Sequence, residues 1–182
     1  ERARSAIVRN TSPDVPFDRA LNPYRGCEHG CIYCFARPTH AYLGHSPGLD
    51  FETKLVARPN IAEVLARELA RPRYRPAPLA LGTATDPYQP VERSRGLTRA
   101  CLEVLEAAGH PVGVVTKGTL VERDADILAR MAARGIARVA ISLTTLDADL
   151  SRRMEPRAPS PDRRLATIRR LNAEDGVTLL VV

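Results

Sequence analysis

Short apolar runs alternate with longer stretches in which apolar residues recur at helical spacing, and this alternation covers most of the chain. The short runs are typical of buried strands, and the longer periodic stretches predict amphipathic helices. We predict strands at residues 21–24, 54–57, 78–82, 112–115, 138–143 and 177–182. We predict helices at residues 38–43, 61–71, 94–108, 124–133, 147–154 and 161–171. The regular strand–helix rhythm begins at residue 78.

This rhythm predicts an α/β fold with a parallel sheet, because parallel neighbours are usually joined by a helical crossover. Function in such folds gathers at the carboxyl ends of the strands. Small polar or charged residues follow three successive predicted strands: Thr83, Thr85 and Asp86, then Thr116 and Lys117, then Ser142, Thr144 and Thr145. Individually they are ordinary turn or cap residues. Together they favour a polar ligand at the mouth of the sheet.

The two ends of the chain predict its domain organisation. Residues 1–20 are polar and are expected to form an irregular arm, and residues 21–182 are expected to form one core domain. The chain begins with Glu1, and the apolar run at residues 177–182 stops without a turn. We therefore expect a core domain that is incomplete at its C-terminus.

Composition narrows the class of protein only slightly. Of 182 residues, 44% are hydrophobic, which is ordinary for a globular domain, and the net charge is +6. A positive charge is compatible with a nucleic-acid partner, although arginine spread over helices is also typical of a solvated surface. No apolar run is long enough for a membrane span, so no membrane partner and a cytoplasmic location are expected. The chain contains no G-x-G-x-x-G or Walker A sequence, so a dinucleotide or P-loop site lacks support.

Three of the four cysteines, Cys27, Cys31 and Cys34, lie within eight residues in C-x3-C-x2-C spacing. Three thiolates on one short loop can each bind a different iron of a cubane [4Fe–4S] cluster. The fourth iron of such a cluster has no protein ligand, so a small molecule can bind and react there. The spacing therefore points to chemistry rather than to a structural site.

Other interpretations of the cysteines remain open. A disulfide framework is disfavoured by the odd number in the loop and by the lack of a secretory signal. A zinc site could take His29 or His40 as its fourth ligand, although zinc modules usually carry a second C-x2-C pair. The remaining cysteine, Cys101, lies in a predicted helix and is expected to be an inert buried thiol.

With an aromatic residue before its last cysteine and a strand before it, this loop resembles that of the radical S-adenosylmethionine superfamily. The resemblance covers nearly the whole chain from Leu21 onward. More narrowly, four segments resemble the spore-photoproduct-lyase-like, or DNA repair photolyase, branch. They are Asn22-Pro-Tyr-Arg-Gly-Cys27, Gly82-Thr-Ala-Thr-Asp86, Val115-Thr-Lys117 and Ile141-Ser142.

The resemblance implies a partial (βα) barrel that ends after its fifth core strand. It implies that Cys27, Cys31 and Cys34 hold a [4Fe–4S] cluster and that S-adenosylmethionine chelates the open iron. One electron from the reduced cluster would cleave the sulfonium to methionine and a 5′-deoxyadenosyl radical, which takes a hydrogen atom from a substrate. The implied partners are a flavodoxin- or ferredoxin-type electron donor and a substrate that the sequence leaves unknown.

The resemblance also implies cofactor contacts for five further residues. Tyr33 resembles the aromatic residue beside the adenine, and Thr85 and Asp86 stand where the family's second-strand loop meets the methionine amine. Lys117 stands near the methionine carboxylate, a charge that an ammonium suits. Ser142 stands at the fourth strand, on the ribose side.

Two departures from the branch concern the return of the radical. Thr83 stands where the lyase has a cysteine hydrogen donor, and Phe35 stands where it has a tyrosine. A hydroxyl is a far poorer hydrogen-atom donor than a thiol, so repair of thymine dimers is not expected. Glu155, Arg157 and Arg164 are further polar candidates, for which an ordinary surface ion pair is the expected role.

These residues support three function hypotheses. The first is a radical S-adenosylmethionine enzyme of unknown substrate. The second is an enzyme that repairs or modifies nucleic-acid lesions, as the charge and the branch resemblance suggest. The third is a non-catalytic metal-binding module that holds zinc or a structural cluster.

Overall fold

A computed structural model of the protein describes residues 1–15, 17–173 and 179–181. Its strands are β1 (Ile7–Arg9), β2 (Arg19–Leu21), β3 (Tyr24–Arg25), β4 (Val56–Ala57), β5 (Leu79–Leu81), β6 (Val112–Thr116), β7 (Ala137–Ile141) and β8 (Leu179–Val181). Its α-helices are α1 (Asp50–Thr53), α2 (Ile61–Leu69), α3 (Glu92–Arg95), α4 (Leu97–Ala107), α5 (Ala125–Ala133), α6 (Ala148–Met154) and α7 (Pro161–Ala173). Two 3-10 helices cover Arg37–Leu43 and Thr119–Asp124.

The main sheet has the strand order β1-β2-β5-β6-β7-β8. The five strands from β2 to β8 are parallel, and β1 pairs antiparallel with β2 at one edge. Each parallel strand lies beside its successor in the chain, which is the order of a barrel segment and not of a doubly wound sheet. The predicted α/β fold with a partial barrel of parallel strands is confirmed.

The register brings the carboxyl ends of the central strands to one edge. Leu81 at the end of β5 pairs with Val114, and Thr116 at the end of β6 pairs with Ile141 at the end of β7. The loops that follow these three strands therefore open side by side.

One hydrophobic core lies between the sheet and the helices. The central strands supply buried side chains such as Leu81, Val114 and Val139, and α4 turns Leu102 and Leu105 toward them. The fully buried Cys101 belongs to this core, as expected. None of the helices in the described ranges has both the length and the apolarity that a bilayer span requires.

The prediction that residues 1–20 are irregular is only partly correct. Ile7–Arg9 forms β1, and β2 already begins at Arg19. The arm is held to α2 and its N-cap by buried polar side chains. Asn60 accepts a hydrogen bond from Ala3 N–H at 2.7 Å, and Glu68 accepts one from Ile7 N–H at 3.0 Å. These partners lie about sixty residues away in the chain, so no local pattern indicated the pairing. The domain boundary at residue 21 stays a prediction.

Two other elements differ from the sequence-based prediction, and a third is described only in part. The predicted helix at 94–108 is two helices, because Gly96 adopts φ +63° between α3 and α4. The predicted strand at 21–24 is divided into β2 and β3, and β3 pairs with β4 in a separate two-stranded sheet. The predicted strand at 177–182 is observed as Leu179–Val181, and the rest of that range lies outside the described residues.

Candidate cluster and cofactor site

A cavity of about 130 Å³ lies at the carboxyl ends of the central strands. The cysteine loop forms one wall, and the loops after β5, β6 and β7 form the other. Thr144 and Thr145 do not line this cavity, whereas all eight residues predicted to bind the cluster or the cofactor do: Cys27, Cys31, Tyr33, Cys34, Thr85, Asp86, Lys117 and Ser142. The fold thus brings together residues from four separate segments, and the individual roles assigned to them stay predictions.

The close approach of β5 to β6 depends on a glycine at the cavity wall. Gly82 directly follows β5 with φ +98°, and a Cβ at this position would lie 2.1 Å from the carbonyl oxygen of Val115. Only glycine fits both constraints. The loop that follows is fixed to the cysteine side, because Thr85 Oγ1 donates a hydrogen bond to Tyr24 O at 3.3 Å.

The three loop cysteines are free and differ in exposure. Cys27 and Cys31 are buried, whereas Cys34 is half-buried. Burial, followed by the negative charge of Asp86, raises the pKa of the Cys27 thiol to about 12. Burial also raises the pKa of the Cys31 thiol, although the Lys117 ammonium partly opposes this. A metal group would have to displace the thiol protons on binding, which links metal affinity to pH.

Three free thiols in one loop are a donor set that an iron–sulfur cluster can use. Within the described ranges, no three His, Cys, Asp or Glu side chains converge closely enough to hold one metal ion. A cluster imposes no such convergence, because each thiolate of Cys27, Cys31 and Cys34 binds a different iron. Of the two proposed zinc ligands, His29 has Nδ1 3.3 Å from Asp86, and His40 Nε2 lies 3.1 Å from Lys54 O.

Asp86 connects the two walls of the cavity. Its Oδ1 accepts hydrogen bonds from Thr116 Oγ1 at 2.6 Å and from Tyr88 N–H at 2.9 Å. Its Oδ2 accepts one from Lys117 N–H at 2.7 Å and lies 3.3 Å from His29 Nδ1. Burial opposes ionisation, but the charge and hydrogen bond of His29 and the other donors outweigh it and lower the pKa of Asp86 to about 2. These four partners match the acceptor capacity of a carboxylate, so Asp86 presents a fixed negative charge to the cavity.

Two side chains hold the cysteine loop in ways that its sequence did not indicate. The fully buried Gln89 donates to Gly26 O at 3.1 Å and accepts from Glu28 N–H at 2.9 Å. Arg37 donates to Cys31 O from Nη2 at 3.0 Å. A lone glutamine and a surface-type arginine carry no motif, so sequence reasoning could not single them out.

The segment at residues 154–157 lies against the other side of this loop. Ile32 N–H donates to Met154 O at 2.9 Å, and Arg157 N–H donates to His29 O at 3.1 Å. The Arg157 guanidinium also donates to Glu28 O. The loop is therefore shaped by a segment more than 120 residues further along the chain.

Between these backbone contacts, the Glu155 side chain lies behind the cavity wall, in contact with residues that line the cavity. It accepts hydrogen bonds from Tyr33, from Thr144 Oγ1 at 2.8 Å and from Arg164, and Lys117 Nζ lies 3.8 Å away. Burial opposes ionisation of this carboxyl, but the hydrogen bonds from Tyr33, Arg164 and Thr144 outweigh it and lower its pKa. Burial also disfavours the Lys117 ammonium, yet the nearby acidic groups, led by Cys31 and Tyr33, raise its pKa above the ordinary value. Both charges therefore persist at neutral pH.

The expectation of an ordinary surface ion pair is wrong for two of the three polar candidates. The side chains of Glu155 and Arg164 are each only 1% exposed, so their pair is buried. Arg157 is 49% exposed and pairs with Glu52, as a surface arginine does. Sequence periodicity could not reveal the burial, because it arises where α6, α7 and the cysteine loop meet.

The two positions that depart from the lyase branch also line the cavity. Thr83 follows Gly82 on the wall, and Phe35 follows the last cysteine with 82% of its surface exposed. Both residues therefore lie at the same cavity as the three cysteines.

Comparison with known proteins agrees with this geometry. A family model described as the Radical SAM superfamily matches residues 21–182. An uncharacterized protein of Mycobacterium tuberculosis strain H37Rv is 46% identical over 159 residues, which is 87% of this chain and 47% of that protein. An uncharacterized protein of Methanocaldococcus jannaschii is 23% identical over 176 residues, which is 97% of this chain and 62% of that protein. The chain thus spans about half the length of the mycobacterial relative.

Solved structures of spore photoproduct lyase share the fold. A tyrosine-to-phenylalanine variant superposes with a TM-score of 0.70 at 20% identity, over 99% of this chain and 48% of that one. A variant with bound AdoMet and dinucleoside spore photoproduct gives 0.69 at 19% identity with the same coverage. At this identity the likeness establishes the fold alone.

Proposed function

The chain belongs to the radical SAM superfamily, and from that membership we propose that it is an enzyme that binds a [4Fe–4S] cluster and cleaves S-adenosylmethionine reductively. The observation that carries the proposal is the shared cavity, in which the three cysteines face the polar residues of three strand ends. When bound, the reduced cluster would supply the electron that cleaves the sulfonium and releases the 5′-deoxyadenosyl radical. The protein's own part is binding, orientation and shielding.

The charged side chains would bind the charged groups of the two cofactors. Cys27, Cys31 and Cys34 would hold the cluster, and Lys117 would pair with the methionine carboxylate. The acceptor sites of Asp86 are already occupied, so this carboxylate would favour the amine of the same ligand by its negative charge alone. The carboxylate and ammonium of a zwitterion thus find opposite charges on the two neighbouring strand ends.

The uncharged residues suit the nucleoside part of the ligand. The Tyr33 ring offers a flat apolar face for the adenine, and the hydroxyl groups of Thr85 and Ser142 offer hydrogen bonds. The burial of Cys27 and Cys31 limits the access of water to the reacting centre.

Anaerobic reconstitution with iron and sulfide tests the proposal. We expect about four irons per chain, as a cubane cluster requires, and formation of 5′-deoxyadenosine with dithionite and S-adenosylmethionine. Replacement of Cys27, Cys31 or Cys34 by serine should abolish both, whereas Cys101→Ser should retain both, because Cys101 lies in the core away from the cavity. A cluster-loaded protein that forms no 5′-deoxyadenosine contradicts the enzymatic proposal. One zinc per chain without sulfide would instead support the non-catalytic module.

A second candidate is repair or modification of nucleic acid, in which the substrate's hydrogen atom is taken by the radical. It is supported by the net charge of +6 and by the shared fold with spore photoproduct lyase. Thr83 and Phe35 at the cavity argue for a product other than a repaired thymine dimer. Binding to DNA or RNA that weakens steeply with salt supports this candidate, and undetectable binding opposes it.

We place the enzyme in the cytoplasm, with a flavodoxin- or ferredoxin-type protein as electron donor. A reducing compartment keeps the thiols free for cluster assembly. Dependence of 5′-deoxyadenosine formation on such a donor, in place of dithionite, tests this assignment.

A further inference from the structure

We propose that Glu155 is a positioning residue that sets the affinity of the cavity for S-adenosylmethionine, by holding the Tyr33 phenol and the Lys117 ammonium in place. Arg164 anchors Glu155 in this arrangement. The proposal rests on the proposed function, because it concerns the ligand of the same cavity.

One carboxylate joins four segments of the chain. Glu155 Oε1 accepts the hydrogen bonds of Tyr33, in the cysteine loop, and of Thr144, after β7 at 2.8 Å. Lys117 Nζ, after β6, lies 3.8 Å from the same oxygen. Arg164, on α7, donates to Oε2. Oε1 therefore contacts the residues at the cavity wall, and Oε2 contacts Arg164.

Glu155 acts through its partners and does not touch the ligand space. Tyr33 and Lys117 line the cavity, whereas Glu155 and Arg164 do not. Lys117 Nζ lies 5.6 Å from the centroid of the Tyr33 ring, within the range of a cation–π contact. Holding both groups from behind fixes their relative position before a ligand arrives, which lowers the entropy cost of binding.

Arg164 neutralises the buried negative charge of Glu155, and it does not line the cavity in which the ligand would bind. Its other two nitrogens are also hydrogen-bonded, since Nε donates to Pro159 O at 2.8 Å and Nη1 donates to Ser142 O at 2.9 Å. A buried pair with satisfied hydrogen bonds avoids the large penalty of an isolated charge. Because Arg164 balances Glu155, the charge of Lys117 remains available for an anionic group in the cavity.

A purely structural role makes different predictions. The same pair also joins α6 and α7 to the sheet, so a substitution could weaken folding without a specific effect on the ligand. In that case the effects of Glu155 and Lys117 on affinity would be independent. If Glu155 acts through Lys117 and Tyr33, the effects overlap, and a double-mutant cycle detects this.

The test measures the dissociation constant of S-adenosylmethionine on the cluster-loaded protein by anaerobic equilibrium dialysis. We expect Glu155→Gln and Lys117→Met each to weaken binding by roughly tenfold, as loss of one charge-assisted contact does. The double variant should be within about threefold of Lys117→Met alone, because the contacts share one ligand group. Glu122→Gln is the matched control. This carboxylate accepts hydrogen bonds from Thr167 and Arg163 away from the cavity, and its removal should leave the affinity unchanged.

Two further measurements separate folding from positioning. Tyr33→Phe keeps the ring and removes only the hydroxyl that Glu155 holds, so it should weaken binding even if Glu155→Gln folds poorly. Amide hydrogen exchange on the cluster-free protein measures how well the cysteine loop is held in place when no ligand is bound. Residues 27–36 should exchange at least several-fold faster in Glu155→Gln than in Glu122→Gln.

The outcomes are distinguishable. If the wild-type protein binds S-adenosylmethionine and the effects of Glu155→Gln and Lys117→Met multiply, Glu155 is merely structural and the inference is overturned. Unchanged affinity in Glu155→Gln and Tyr33→Phe, or unchanged exchange in the loop, overturns it as well. A cluster-loaded wild-type protein that binds no S-adenosylmethionine overturns the proposed function together with the inference.

Discussion

Replacement of Gly82 by alanine should destabilise the protein by forcing β5 and β6 apart at the edge of the cavity. Gly82 has φ +98°, a conformation that costs a non-glycine residue about 1–2 kcal/mol. The new Cβ would also lie 2.1 Å from Val115 O and 2.9 Å from Pro87 Cδ. Both the Val115 oxygen and the Pro87 ring belong to constrained backbone, so neither can rotate away as a flexible side chain would.

The expected loss of stability is the sum of the backbone strain and the cost of relieving the steric clash. Relief of a clash in a packed region typically costs about 1–3 kcal/mol. Added to the backbone strain, this gives a loss of about 2–5 kcal/mol in the free energy of unfolding. With a urea dependence of about 2 kcal/mol per M for a small protein, the unfolding midpoint should fall by about 1–2.5 M.

Gly113→Ala is the matched control for this measurement. Gly113 lies in β6 beside the same strand, without positive φ, and a Cβ there would meet no atom within 4 Å. Its replacement should be neutral or should stabilise the protein by up to about 1 kcal/mol, because glycine weakens a strand interior. Urea unfolding of both cluster-free variants under reducing conditions gives the comparison. Equal midpoints for the two variants would refute the steric reasoning.

Three other predictions concern buried groups outside the cavity. Burial holds the pKa of His110 below its usual value, so the unfolded chain binds a proton at higher pH than the folded chain. Stability should therefore fall as the pH drops below about 6.5, and thermal unfolding of His110→Gln should show a smaller fall. Cys101 is fully buried and burial raises its pKa to about 12, so iodoacetamide should modify Cys34 long before Cys101. In urea unfolding, Glu92→Gln should lower the free energy of unfolding by about 3–5 kcal/mol, because Glu92 is fully buried in an ion pair. Glu106 belongs to a partly exposed pair, so Glu106→Gln should lower it by under about 1 kcal/mol.

Each of these predictions can fail clearly. If the pH dependence of stability is unchanged in His110→Gln, a group other than His110 is responsible for it. Modification of Cys101 as fast as Cys34 in the folded protein would show that α4 opens readily. Equal losses for Glu92→Gln and Glu106→Gln would mean that burial does not decide the strength of these pairs.

The sequence predicted well which residues gather at the cavity, because their positions in the cysteine loop and at strand ends are local features of the chain. The spacing of Cys27, Cys31 and Cys34 identified the cysteine loop, and polar residues at strand ends identified the opposite wall. Once the strands are parallel, their carboxyl ends must meet at one edge. Residues such as Lys117 and Ser142 were therefore predictable as neighbours, although no local pattern gives their distances.

The prediction failed where long-range contacts decided the outcome. Residues 1–20 looked irregular because their partners, among them Glu68, lie far along the chain. The sequence did not indicate the burial of Glu155, because charged residues usually lie at the surface. Gln89 carries no motif, yet it holds the cysteine loop from both sides.

The amino-acid sequence by itself thus determined most strands and helices of the parallel sheet, the candidate groups for binding metal and cofactor, and the edge of the sheet at which they gather. Periodicity and residue chemistry are local properties, so they can be read without coordinates. Only the tertiary structure decided how far the cysteine loop lies from its supports and which charges are buried. Those properties depend on the packing of distant segments, such as residues 154–157 against the loop, where the ion pair of Glu155 and Arg164 is buried.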